Sequence, residues 1–166
     1  MTFSFQKQII GIAKTDQLTG ILNRRGFDEF LNQELLNDRK NLSLFIMDID
    51  KFKDVNDIHG HLFGDQIIKE IASETKKAIG GFGTITRWGG DEFAGILKIN
   101  SEESYKILEK LRENIENRDI FKEIGVTVSI GLAKCSEIDT ADTIVRRADR
   151  NMYKAKDNGR NKVEFN

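Results

Sequence analysis

Apolar positions along the chain alternate between two spacings, one helical and one extended, and that alternation outlines the elements. Residues 3–14 place Phe5, Ile9, Ile12 and Ala13 at near-helical intervals, predicting a short leading helix before a polar turn at 15–20. Residues 26–36 carry apolar side chains at 27, 30, 31, 35 and 36, an amphipathic helix. The run NLSLFIMDI at 41–49 is short, apolar and bounded by polar residues, which reads as a buried strand. Residues 62–79 predict a second amphipathic helix, with Ile67, Ile68, Ile71 and Ala78 along one side. In TITRWGGDEFAGIL at 84–97, two β-rich runs meet at Gly89–Gly90. Glycines tolerate positive φ, so this predicts a hairpin turning on that pair. A helix over 101–117 capped by Ser101, a strand over 126–130, a helix over 141–156 and a strand over 162–165 complete the pattern. This order predicts an α+β fold, a mostly antiparallel sheet flanked by helices.

Composition narrows the classes. The 166 residues suffice for one domain with a sizeable core, and no low-complexity tract or repeat divides them. Acidic and basic residues nearly cancel, 27 against 26, so no global field recruits nucleic acid or an anionic membrane. No apolar run approaches the roughly 20 residues that span a bilayer, and no signal-peptide pattern opens the chain. The lone Cys135 has no internal disulfide partner. A soluble cytoplasmic location is the expectation.

Four clusters could carry chemistry. Asp48 and Asp50 leave a core strand on the same face by alternation, and such paired acids favour a metal site over a merely solvated strand end. Asp91 and Glu92 follow the two glycines of the hairpin. Were that hairpin to lie beside the strand of Asp48, Asp48 and Asp91 could together hold divalent cations, with water and phosphate oxygens completing the shell. In the third cluster, Phe52, Lys53 and Asn56 precede His59, His61 and Asp65. Lys53 and the amides after the strand suit phosphate, and Asn56 and Asp65 could read a guanine edge. Taken alone, a turn role for Asn56 and a helix N-cap role for Asp65 are the favoured readings. His59 and His61 do not make a zinc site, since no further Cys or His completes one. In the fourth, Lys156 and Arg160 close the last helix, where they either offset its dipole or bind nucleotide phosphates.

These segments together resemble the GGDEF family of diguanylate cyclases. The resemblance rests on DQLTGILNRRGF at 16–27, DIDKFKDVNDIHGHLFGD at 48–65 and RWGGDEF at 87–93. TVSIGLA at 127–133 and ADRNMYKAKDNGRN at 148–161 continue it, all in the family's order and spacing. It implies a palm-like nucleotidyl cyclase domain over 15–166, preceded at 1–14 by the end of a signalling helix that normally joins an upstream sensor domain. It also implies the condensation of two GTP into cyclic di-GMP in a homodimer, each chain supplying half of the active site. Asp48, the Ile49 carbonyl and Asp91 would bind Mg²⁺, or Mn²⁺ in its place. Asp91, Glu92 and Lys53 would serve catalysis. Phe52, Asn56, His61, Asp65, Lys156 and Arg160 would bind substrate. Many members carry an Arg-x-x-Asp product-inhibition site six residues before the first motif glycine. Gly80 and Gly83 stand there in this chain, so feedback through that site is not expected. The alternative is a catalytically silent GTP-binding domain that regulates a partner. It ranks second, because neither the hairpin motif nor the metal aspartate is broken.

Overall fold

In the computed structural model, which describes residues 13–166, five strands form one sheet between two layers of helices. The elements are α1 (Arg24–Glu34), β1 (Ser43–Ile49), α2 (Phe52–His59), α3 (His61–Ile79), β2 (Gly83–Gly89), β3 (Glu92–Leu97), α4 (Ser101–Asn117), α5 (Asp119–Ile124), β4 (Val128–Lys134), α6 (Ala141–Asp157) and β5 (Lys162–Phe165), with a 3₁₀ turn at Gly80–Phe82. The sheet order is β2-β3-β1-β4-β5. All neighbouring strands run antiparallel except β4 and β5, which α6 connects as a parallel pair. The expected α+β arrangement holds.

Strict alternation along β1 builds both cores. Phe45, Met47 and Ile49 face the layer of α3 and α4, while Leu44 and Ile46 face α1 and α6. The side chains of both sets are almost wholly buried, as a central strand covered on two faces requires. Asp48 continues the even-numbered series and so emerges on the α6 side. Gly131 of β4 sets how closely that helix approaches. A Cβ there would lie 2.1 Å from both the Ala148 carbonyl oxygen and the Met152 amide nitrogen. Only a glycine lets α6 rest on the sheet at this point, which brings the end of α6 over the end of β1.

Several boundaries differ from the sequence expectation for local reasons. The leading helix expected at 3–14 falls almost wholly outside the described residues, and Ala13 and Lys14 lie in a turn. Helix α1 starts earlier because the Asn23 side chain caps it, accepting from the Gly26 amide at 3.0 Å. It also stops before Leu36, which is exposed. Asn100, not Ser101, caps α4 by accepting from the Glu103 amide at 2.8 Å. Strand β4 begins at Val128 and runs on through Gly131 to Lys134. The short helices α2 and α5 were not anticipated. With one buried residue each, Val55 and Phe121, neither displays a readable period.

Candidate functional site

The site lies where β1, the β2–β3 hairpin and the end of α6 meet. In the sheet register Asp48 sits directly opposite Glu92, and the Ile49 amide donates to the Asp91 carbonyl at 3.1 Å. Directly opposed residues share a face, so Asp48 and Glu92 both look toward α6. Asp91 occupies the hairpin tip beside them. Arg87 fixes that tip, donating to the Gly90 carbonyl through Nε at 3.1 Å and Nη2 at 2.8 Å while pairing with Asp16 at 3.2 Å. From α6, the Lys156 ammonium donates to Asp48 Oδ2.

The electrostatics are those of an unfinished cation site. Burial, above all, raises the Asp48 pKa to about 7; the Lys156 hydrogen bond opposes that rise and the neighbouring Asp91 carboxyl adds to it. Asp48 Oδ1 is buried with no hydrogen-bond partner. Such an orphaned oxygen is costly unless a further positive ligand completes it. Burial works against the Lys156 ammonium, yet Asp48 more than offsets this and holds its pKa above the ordinary lysine value. Burial likewise raises Glu92, reinforced by the charges of Asp149 and Asp91. No group of three or more His, Cys, Asp or Glu among the described residues is arranged to hold a metal. The donor set is instead two carboxylates at an open edge, which suits a hard divalent cation that keeps several waters.

A second cluster forms at the α2–α3 junction. Asn56 Oδ1 is buried without a partner and points at Gly64. A Cβ at position 64 would lie 1.9 Å from that oxygen and 3.1 Å from Cζ of Phe52, so the glycine makes the room that Asn56 occupies. Asp65 is half-buried on the next residue of α3, and His61 is exposed in its first turn. The His59 and Phe63 rings pack at 4.8 Å, a structural use of His59. Lys53 is exposed in the first turn of α2, directly after β1, and Arg160 is exposed just beyond α6. The structure thus gathers Asp48, Asp91, Glu92 and Lys156 at one end of the sheet, with Lys156 bonded to Asp48. Phe52 and Asn56 meet around Gly64, and among the described residues no side-chain contact ties Lys53, His61 or Arg160 to either group.

Two expectations need correction. Asp50 does not share a cation site with Asp48. The two do share a face, as alternation predicted: Ser129 lies opposite Asp48, and the Asp50 amide continues the ladder to the Thr127 carbonyl at 2.9 Å before the chain turns through Lys51 at φ 54°. The difference lies in what each carboxylate meets. The Asp50 carboxylate is buried and accepts from the Thr127 hydroxyl at 2.7 Å, the Ser129 hydroxyl at 2.6 Å and the Asn161 amide at 3.1 Å. The hairpin also does not turn on Gly89–Gly90. Gly89 pairs with Glu92, the loop residues are Gly90 and Asp91, and neither glycine is left-handed. A bulge at Trp88 shifts the register. A Cβ on either glycine would meet open space, so the fold itself does not demand them.

Asp149 was not singled out from the sequence. It lies near Glu92 and Lys156, with its pKa raised by burial and partly restored by Lys156. Asp149, Tyr153 and Lys156 recur at i, i+4 and i+7, so one face of the last helix was a readable signal for it.

A palm-like sheet with two carboxylates at the end of its central strand and hairpin, and a lysine over them, defines a nucleotidyl cyclase type of domain. The profile of the family described as "Diguanylate cyclase, GGDEF domain" matches residues 13–162, and the chain belongs to that family. It is 36% identical over 155 residues to diguanylate cyclase DgcZ of Escherichia coli strain K12, covering 90% of this chain and 52% of that protein. Diguanylate cyclase A of Treponema denticola is 33% identical over 167 residues, covering 94% of this chain and 45% of that protein. The chain therefore spans about half the length of these curated relatives. Among solved structures, the coiled coil and GGDEF domain of DgcB from Caulobacter crescentus, in complex with c-di-GMP, superposes with a TM-score of 0.91 at 29% identity, covering 99% of this chain and 92% of that one. The diguanylate cyclase SiaD from Pseudomonas aeruginosa, in complex with its activator SiaC, gives 0.85 at 29% identity over 99% of this chain and 67% of that one. Among the described residues no helix is long and apolar enough to cross a membrane.

Proposed function

We propose that this chain is a diguanylate cyclase domain that condenses two GTP into cyclic di-GMP with release of two pyrophosphates. The observation that carries the reading is the Asp48–Asp91 pair, with Asp48 Oδ1 buried, unpartnered and protonated more readily than an ordinary carboxyl. Asp48, Asp91 and the Ile49 carbonyl would hold Mg²⁺, or Mn²⁺ in its place. Such a cation lowers the pKa of an attacking hydroxyl and neutralises charge on the triphosphate. Asn56 and Asp65 hold the guanine. The Asp65 carboxylate accepts from N1–H and N2–H of guanine but meets the N1 acceptor and a C2–H on adenine, which favours GTP over ATP. Phe52 and His61 border the bound nucleotide, and Lys156 and Arg160 bind its β and γ phosphates. Lys53 stabilises charge on the transferring phosphoryl group. Asp91 takes part in accepting the 3′-hydroxyl proton, with Glu92 supporting that charge.

One domain binds one GTP, whereas the product joins two nucleotides by two equivalent bonds. Two chains therefore face each other, and each 3′-hydroxyl attacks the α-phosphate held by the partner as pyrophosphate departs. A transient homodimer suffices. Gly80 and Gly83 leave no Arg-x-x-Asp pair to bind product, so this domain is not inhibited through that surface.

The test is product analysis with GTP and Mg²⁺ over a range of protein concentrations, beside Asp91→Ala. Cyclic di-GMP from the parent chain alone, at a specific activity that rises with concentration, is the expected result. GTP binding without product, even when the chain is fused to a dimeric coiled coil, would replace this reading with the silent regulatory one.

A further inference from the structure

Arg160 and Asn161 are consecutive residues in the left-handed region, at φ 64° and φ 48°. Glycine, asparagine and aspartate visit that region readily, whereas a residue such as arginine does so at a cost. Asn161 is held from two sides. Its amide donates to Asp50 Oδ2 at 3.1 Å, and its Oδ1 accepts from Arg112 Nη1 of α4 at 2.9 Å. Asp50 is itself locked to β4. Its amide donates to the Thr127 carbonyl at 2.9 Å, and its two carboxylate oxygens accept from the Thr127 and Ser129 hydroxyls. Arg112 is held in turn by Glu109 and Glu116. The turn that follows the last helix is therefore fastened to the end of the central strand and to the opposite helical layer.

We propose that Asp50 is a positioning residue. With Arg112 it clamps the Arg160–Asn161 turn in its left-handed form and so presents the exposed Arg160 to the nucleotide triphosphate. This rests on the phosphate-binding role given to Arg160 above. The Asp50 carboxylate is already engaged by three of the protein's own donors, and its nearness to Asp48 in sequence reflects fastening of the turn rather than shared ligation. A hydrogen-bonding role and a metal-ligand role respond oppositely to amidation. In Asp50→Asn the amide oxygen can accept from Asn161 and Thr127 while its NH₂ donates to the Ser129 hydroxyl, so the clamp survives without the charge.

The experiment measures binding of the α,β-methylene analogue of GTP, which cannot release pyrophosphate, by calorimetry in Mg²⁺. The variants are Asp50→Ala, Asp50→Asn, Arg160→Ala and the Asp50→Ala/Arg160→Ala double. Hydrogen exchange of the Asn161 amide is followed by NMR without nucleotide. Losing one charge-assisted phosphate contact weakens affinity about tenfold. Asp50→Ala and Arg160→Ala should each show that loss, the double variant no more than Arg160→Ala alone, and Asp50→Asn should recover affinity. The Asn161 amide should be protected in the parent and in Asp50→Asn and exchange freely in Asp50→Ala. Additive losses, or Asp50→Asn as weak as Asp50→Ala, overturn the proposal. If Asp50→Ala does not fold, Asn161→Ala carries the test, with a severalfold loss that is again absent in the Arg160→Ala background. A parent chain that fails to bind the analogue overturns the functional reading and with it the phosphate role of the clamp. An unprotected Asn161 amide in a chain that binds the analogue overturns the clamp alone.

Discussion

Withdrawing divalent cations while raising the pH should destabilise this domain through Asp48. Burial, more than any other influence, lifts its pKa from the ordinary 3.8 to about 7, against the opposing Lys156 hydrogen bond. A carboxyl that holds its proton more tightly in the folded than in the unfolded chain favours folding fully below the unfolded pKa. That contribution is lost as pH rises through 7. The full rise corresponds to about 4 kcal/mol at most, and because the site opens to water we expect roughly half of it, about 2 kcal/mol. For a chain of this length that is a melting difference of roughly 4–8 °C. The assay is thermal unfolding in chelator from pH 3.5 to 8.5, the parent beside Asp48→Asn, whose other titrations are shared and cancel. The two should approach each other toward pH 3.5, and the parent should fall progressively below the variant up to about pH 7 and stay below it at pH 8. Added Mg²⁺ should reverse that order at pH 8, and should stabilise the parent less at pH 5.5, where a proton competes for Asp48. Parallel curves in chelator, or equal stabilisation of both proteins by Mg²⁺, would refute the reasoning.

Two further outcomes follow from close approaches in the fold. Gly64→Ala places a methyl against Asn56 Oδ1 and the Phe52 ring. Alanine is also the better helix former within α3. Nucleotide affinity should fall about tenfold while the melting temperature changes little, as calorimetry and circular dichroism would show; unchanged affinity would remove Asn56 from the guanine pocket. Reinstating an Arg-x-x-Asp pair with Gly80→Arg and Gly83→Asp should not confer product binding. A Cβ at 83 would lie 1.8 Å from the Ile96 carbonyl oxygen, and Gly80 sits at φ 54°, ψ −134°, so the β2–β3 pairing must shift. We expect a loss of about 2–3 kcal/mol and no tight cyclic di-GMP binding. A stable double variant that binds the dinucleotide would show that strand register is not what bars the site.

What could be read from the sequence divides along a physical line. Long periodic segments were legible. The helices at 62–79, 101–117 and 141–156 each lie within one residue of the observed bounds, because many buried positions repeat the same signal. Asp48 and Asp91 were legible as a pair only by supposing that their strands were neighbours, and the Asp48↔Glu92 register supplies that neighbourhood. Short elements such as α2 carried too few buried residues to register. Asp50 shows the remaining limit most plainly. Period-2 alternation is a property of paired backbone, and it gave the correct face for Asp48, which is paired on both sides to Glu92 and Ser129. It gave the correct face for Asp50 too, whose carboxylate meets the Thr127 and Ser129 hydroxyls, but a face does not tell which partners wait on it. Its partners Thr127, Ser129 and Asn161 lie 77 or more residues away, so no local pattern encodes them. Two acids with one residue between them therefore serve different ends. Asp48 is left with an unpartnered oxygen that a cation would complete, whereas Asp50 is engaged by three of the protein's own donors and fixes the turn that carries Arg160.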